Sequence, residues 1–197
     1  AHELNIEIIE LQHGTFSKYH LGYSFPKKYN SRYLPNKFYV WNNYWKDLIK
    51  LPIKSTNINI YQCQYLEIEK KKYRNIKKQK NSLIVLSQGA NTEMIANKII
   101  ENMKYFKQFQ IIFKLHPNEY HMISKHKKLS YLQKKYNVKV VTKVDLYEHL
   151  AKSEYQCGVF STALYEGIEF NCKTILLKLP GIEYMDKFIK IHNPIIK

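Results

Sequence analysis

The sequence predicts an α/β fold: a Rossmann-like parallel sheet with helices on both faces. Three observations predict it. From residue 82 onward, short apolar runs recur near positions 83, 110, 138, 156 and 174. Segments between them place apolar residues at helical spacing. Each run closes on a polar or turn-forming pair. Strand and helix alternating on this scale imply parallel strands joined by crossover helices.

The elements follow in order. Ile6, Ile8 and Ile9 read as a strand entering the loop Leu11-Gln12-His13-Gly14-Thr15. Residues 13–40 are dense in Tyr, Lys, Pro and Ser, have no clean period, and read as loop. Val40, Trp41, Trp45, Leu48 and Ile49 read as a short strand or turn followed by a helix over 39–50, and 58–66 as another strand. Lys70, Lys71, Lys72, Arg74, Lys77, Lys78 and Lys80 read as a solvated basic connector. Ser82 to Ser87 suits a buried strand, with Gln88-Gly89-Ala90-Asn91 as its loop. Ile95, Ile99, Met103 and Phe106 predict a helix. Gln110 to Leu115 is the next strand, ended by His116-Pro117, and 119–136 the next helix. Val138, Val140 and Val141 make a strand, and Leu146 with Leu150 a short helix. Tyr155 to Phe160 is a strand, then Ser161-Thr162 and a helix through Glu169. Thr174 to Leu179 is the last strand, before Pro180-Gly181. Two parts result: 1–81, and a regular domain over 82–197.

Composition narrows the function classes. The chain has 197 residues, 45% of them hydrophobic, enough for one sizeable core plus an extra segment. Six Gly and 6 Pro exclude collagen-like or linker character, and 17 Tyr with 9 Phe argue against disorder. No apolar run approaches the roughly 20 residues of a membrane span. The start, Ala1-His2-Glu3-Leu4, is neither a Met start nor a signal peptide, and the chain reads as the back part of a longer protein. The net charge of +16 is carried by Lys, with Arg32 and Arg74 the only arginines. Readers of nucleic acid lean on Arg for bidentate contacts, so nucleic acid is disfavoured as a partner. An anionic substrate or an anionic membrane face fits Lys equally well. Cys63, Cys157 and Cys172 have neither C-x-x-C nor zinc spacing, and point to a reduced cytoplasmic compartment.

In doubly wound folds ligands bind beyond the carboxyl ends of the strands. His116-Pro117 fixes the backbone there and leaves an imidazole able to donate to a phosphate. The alternative is an exposed His before a helix whose N-cap is Asn118. Ser161-Thr162 sits at a strand-to-helix turn, where an anion is favoured and simple capping is equally served. Glu166 follows Thr162 by four residues, one too many for a capping box, so it is free to accept from a ribose diol or to stand exposed. His13-Gly14 follows an apparent strand, and a His of near-neutral pKa suits a general base. The sequence has no phosphate-binding G-x-x-x-x-G-K-[ST] loop, no G-x-G-x-x-G and no G-x-S-x-G elbow. With only Asp47, Asp145 and Asp186 there is no D-x-D, and no metal is expected.

Leu11-Gln12-His13-Gly14-Thr15, the stretch through Tyr39-Val40-Trp41, Lys114-Leu115-His116-Pro117, and Phe160-Ser161-Thr162-Ala163-Leu164-Tyr165-Glu166-Gly167 occur in that order. The combination resembles the GT-B bacterial glycosyltransferases of capsule and surface-polysaccharide synthesis, including polysialyltransferases and CDP-glycerol glycerophosphotransferases. It spans residues 11 to about 185. The resemblance implies the C-terminal, donor-binding half of a GT-B fold over 82–197 and the end of an acceptor half before it. It implies donor phosphate on His116, Ser161 and Thr162, the donor nucleoside on Glu166, Gln88 and Gly89, and His13 as catalytic base. It implies no cofactor, only a CMP-, CDP- or UDP-linked donor. The acceptor would be an anionic polysaccharide or lipid-linked chain, and the enzyme would work at the inner face of the cell membrane. An Asp usual near the Ser/Thr pair in the CDP-glycerol group is absent, which leaves the donor open. Three other readings remain at this point: a sugar-nucleotide epimerase, a nucleotide- or polymer-binding module without catalysis, and, least favoured, a basic nucleic-acid-binding protein.

Overall fold

The computed structural model describes residues 2–25 and 34–197. Part of the segment read as loop, including Arg32, lies outside the described residues. The chain divides into two compact units, Ala1–Tyr65 and Leu66–Lys197.

The first unit holds a three-stranded parallel sheet of β1 (Ile9–Leu11), β2 (Lys37–Val40) and β3 (Ile58–Ile60), in that spatial order, with a short helix α1 (Asn43–Lys46). Alternation in β2 turns Phe38 and Val40 inward, both fully buried. Phe16, Tyr23 and Trp45 close around them, Phe16 meeting all three aromatic rings of Tyr23, Phe38 and Trp45 within 6 Å. β2 was not expected to begin as early as Lys37. The strand expected over 58–66 stops at Ile60, because a helix, α2 (Gln64–Tyr73), begins four residues later.

That helix also corrects the reading of the basic run. Lys70 pairs with Glu67 and Glu169, each at 2.9 Å. Lys72 pairs with Glu69 and Asp145, and the Tyr73 hydroxyl donates to Asp145. Lys78 donates to the Leu150 carbonyl at 2.7 Å and contacts the Cys172 sulfur. Much of the run is thus bonded to its own unit.

In the second unit, β4 (Gln79–Leu86) is followed by α3 (Thr92–Glu101), α4 (Met103–Phe106), β5 (Gln110–Lys114), α5 (Lys127–Tyr136), β6 (Lys139–Val141), α6 (Leu146–Lys152), β7 (Ser153–Gly158), α7 (Thr162–Glu169), β8 (Lys173–Leu176), α8 (Asp186–His192) and β9 (Ile195–Ile196). All six strands are parallel, in the order β6-β5-β4-β7-β8-β9. This is the doubly wound order of an α/β, Rossmann-like sheet. Central β4 has Leu83, Ile84, Val85 and Leu86 all buried, as a parallel strand covered on both faces requires. Leu83 and Val85 pack with α3, α4 and α5, through Ile95, Ile99, Phe106, Leu129 and Leu132. Ile84 and Leu86 pack with α6, α7 and α8, through Leu150, Leu164 and Phe188. Each fully buried Leu or Phe contributes about 1.5–3 kcal/mol.

Two helical expectations change in detail. The helix through Phe106 breaks at Asn102 into α3 and α4. The helix over 119–136 is a 3-10 stretch, Pro117–Lys125, followed by α5. α8 and β9 were not foreseen. Asparagine does much of the turn work in this glycine-poor chain: Asn137 and Asn193 take the left-handed conformation at the ends of α5 and α8. Cys157 and Cys172 are buried and free, as their apolar surroundings imply. Among the described residues no helix is long and apolar enough to cross a membrane.

Candidate functional site

The second chain direction of the sheet starts at β7. From β4 the chain winds outward through β5 to β6, then returns to β7 on the other side of β4. The loops after β4 and β7 therefore diverge, and the crevice between them is where a doubly wound fold accepts a ligand. Gln88 stands after β4 and Ser161 after β7, so both lie at this switch point. The Gln88 side-chain oxygen accepts from the Phe160 N–H at 2.9 Å and ties the two loops together. Its amide NH₂ keeps its donors for another partner. Gly89 has φ +59, a left-handed position that suits glycine, and open space where a Cβ would stand. Its N–H is already used: it donates to Glu119 Oε2 at 2.9 Å.

His116 follows β5, adjacent to β4 in the sheet. The side chain is exposed, and Nδ1 accepts from the Asn118 N–H at 3.3 Å. His116, not Asn118, is therefore the N-cap of the 3-10 stretch. With Nδ1 accepting, the neutral ring carries its proton on Nε2, which faces outward as a donor. Pro117 supplies the fixed φ and lacks the N–H that would otherwise go unpaired at that position.

Ser161 caps α7: its backbone is extended and its hydroxyl oxygen accepts from the Ala163 N–H at 3.2 Å. The hydroxyl proton remains available. Thr162 is half-buried at the first helical position. Leu164 and Gly167 face the sheet, so Thr162 and Glu166, four residues apart, share another side of the helix. Glu166 is not free: the Tyr147 hydroxyl of α6 hydrogen-bonds it. Burial pushes its carboxyl above the ordinary carboxylate value, and the Tyr147 bond works in the opposite direction. The neutral acid is the form the fold favours. Its stabilising contribution is complete below the ordinary carboxylate range and is lost as pH rises through the raised folded value. Glu166→Gln keeps a partner for Tyr147 and removes that loss. Its melting temperature is expected to exceed that of the parent by a margin that widens from about pH 4 to pH 8; parallel melting curves across that range would contradict this.

Two groups escaped the sequence reading. Glu119 is 1% exposed and lies under both loops. Its Oε2 accepts from the Ser87 hydroxyl at 2.6 Å, the Gly89 N–H, and the His116 N–H at 3.3 Å. Ser87 Oγ in turn accepts from the His116 N–H at 2.7 Å. The signal was present, since Glu119 is three residues after His116 in capping-box spacing, but His is not a usual cap. Lys114, at the end of β5, is half-buried. Burial lowers its ammonium pKa, and its Nζ donates to the Leu115 carbonyl at 3.3 Å. In sequence it is one more lysine in a lysine-rich chain.

His13 lies in the first unit, just beyond β1, and is exposed. Its ring meets Tyr23 edge-on, with centroids 6.3 Å apart. The loop is pinned by Gln12, whose Nε2 donates to the Gly14 carbonyl and whose Oε1 accepts from the Trp41 N–H, both at 2.9 Å. The Tyr23 hydroxyl donates to Glu10, and burial first, then that bond, raises its pKa well above the ordinary tyrosine range. The structure thus groups Gln88, Gly89, His116, Ser161 and Thr162 along one edge of the second unit's sheet. Glu166 lies one turn deeper in α7.

No family model matches the chain, and no curated protein matches it. Among solved structures it is similar to the C-terminal CMP-Kdo binding domain of WaaA from Acinetobacter baumannii, with a TM-score of 0.40 and 12% identity, over 68% of this chain and 80% of that one. That likeness is too distant to carry an argument.

Proposed function

We propose that the second unit is the nucleotide-binding half of a GT-B-type glycosyltransferase, and that it holds the anionic nucleotide part of an activated donor at the β4/β7 switch point. One observation carries this reading. Gln88, His116 and Ser161 each commit one side of their polar group to the protein and keep a donor to spare on the other. Donors fixed in this way need little reorganisation to meet a phosphate. The start of α7 adds the favourable end of a helix dipole.

On this reading Nε2–H of His116 and the hydroxyls of Ser161 and Thr162 bind donor phosphate. Gln88 and the open face of Gly89 meet the nucleoside, and Glu166 accepts from the ribose once Tyr147 shares it. An acceptor hydroxyl attacks the donor carbon or phosphorus, a base takes its proton, and the nucleotide phosphate departs with the bonding pair; the likeness of its motif makes His13 the candidate base. Protein donors stabilise that charge, so the reaction is proposed to be metal-independent. The order of the short motifs, from His13-Gly14 to Ser161-Thr162, supports the same assignment. The test is a calorimetric panel of CMP, CDP, UDP, GDP and ADP. Selective binding of one pyrimidine nucleotide is expected; no binding by the folded chain would remove the reading.

The acceptor side is proposed to be anionic, a polysaccharide or a lipid-linked chain at a membrane face. Lys127, Lys128 and Lys134 on α5 are exposed and pair with no carboxylate, unlike Lys70 and Lys72. Reversing these three lysines to Glu is expected to weaken binding to phosphatidylglycerol-containing vesicles about tenfold or more. The same change at Lys71, Lys77 and Lys190 should weaken it less. Equal losses would leave net charge as the sole cause.

A further inference from the structure

We infer that Glu119 is a positioning residue, which sets the geometry of the anion-binding edge through the backbone of Gly89 and His116. The inference rests on the donor-site reading above and adds to it a residue that touches no ligand. A buried carboxylate is costly unless its lone pairs are taken up. Here one oxygen takes three bonds, from Ser87, Gly89 and His116. Those three residues come from the loops after two neighbouring strands, β4 and β5. Without Glu119 the two loops would lose these three bonds and keep the Ser87–His116 link and the tie of Gln88 to the loop after β7.

The links have a direction. Ser87 donates its hydroxyl proton to Glu119 and accepts the His116 N–H, so the serine and the carboxylate meet the same amide. The His116 backbone is thereby fixed on the side opposite its ring. The ring is fixed by Asn118 at Nδ1. With both ends held, Nε2–H has one direction left. Gly89, held by its N–H, keeps its left-handed turn and presents the face that lacks a Cβ. The other Glu119 oxygen makes no hydrogen bond in the protein and stands 3.5 Å from Nε2 of buried His126, whose Nδ1 side faces Glu93 at 3.8 Å. The carboxylate is therefore backed by an imidazole and aimed at the two loops.

The experiment is a double-mutant cycle on nucleotide affinity, read with Glu119→Ala, Glu119→Gln, His116→Ala and the double variant Glu119→Ala/His116→Ala. Gln retains one acceptor oxygen for the three donors. Glu119→Ala should weaken the nucleotide that the parent binds by about tenfold, and Glu119→Gln by less than about threefold. In the His116→Ala background the Glu119→Ala change should have a clearly smaller effect, because only the route through Gly89 still reaches the ligand. Additive losses, or parent-like affinity in Glu119→Ala, would overturn the inference. Should Glu119→Ala fail to fold, Ser87→Ala removes one link and carries the same cycle. Amide hydrogen exchange separates this claim from the donor reading. If the parent binds no nucleotide, that reading fails, while faster exchange at Gly89 and His116 in Glu119→Ala still supports the clamp. Unchanged exchange there overturns the clamp as well.

Discussion

Gly167→Ala is expected to destabilise the second unit by about 3 kcal/mol. The cause is close packing of α7 on β7. A Cβ at Gly167 would stand 1.9 Å from Oε1 and 2.5 Å from Cδ of Gln156. Gln156 is fully buried, and its Nε2 donates to the Leu164 carbonyl at 2.7 Å and to Thr174 Oγ1 at 2.9 Å. The side chain has no solvent to swing into. Making room means moving the helix off the sheet or breaking both bonds. Overpacking costs about 1–3 kcal/mol and each lost bond about 1. Against this, Ala is the better helix former by about 1 kcal/mol. A fall in melting temperature of roughly 10 °C follows for a chain of this size. Shortening Gln156 to Ser in the same background should recover part of the loss. A change under about 1 kcal/mol in Gly167→Ala would contradict the packing described.

The second large effect is on affinity. His116→Ala is expected to weaken binding of the preferred nucleotide by about ten- to a hundredfold, the range for losing a hydrogen bond to a charged group. The same change removes a helix cap, at about 1 kcal/mol of stability. His116→Asn separates the two effects. Asn is a good N-cap and can replace Nδ1 toward Asn118, but its shorter side chain does not carry a donor to the position of Nε2. It should fold like the parent and bind nucleotide like His116→Ala. Parent-like affinity in both variants would take His116 out of the site.

The sheet of the second unit was legible because its central strands are buried on both faces. Ser82 to Leu86 and Gln110 to Leu115 are apolar enough to stand out from a lysine-rich background. Their loop residues followed from the strand ends. Helix α2 was not legible, since its lysines dominate the pattern and only Leu66 and Tyr73 pack on the core. Beside its local pairs with Glu67 and Glu69, it is bonded to Glu169 and Asp145, far along the chain, and no local pattern announces those two. The edge strands β1 and β3 were read as strands but not in their bounds, and β9 was not read at all, since each spans only two or three residues, too few for a period. Glu119 was hidden by the opposite problem. As a Glu in a polar stretch it looked like surface, and only the fold brings Ser87, Gly89 and His116 around it.

The central claim is that the edge of the sheet at the β4/β7 switch point holds an activated donor's nucleotide. It is tested most directly by titrating the isotope-labelled chain with the nucleotide that binds and following its backbone amide resonances. The account predicts that the largest shifts fall on Gln88, Gly89, His116, Ser161 and Thr162, with those of the outer strands β6 and β9 nearly still. Shifts centred elsewhere, or spread evenly over the lysine-rich surface, would contradict it.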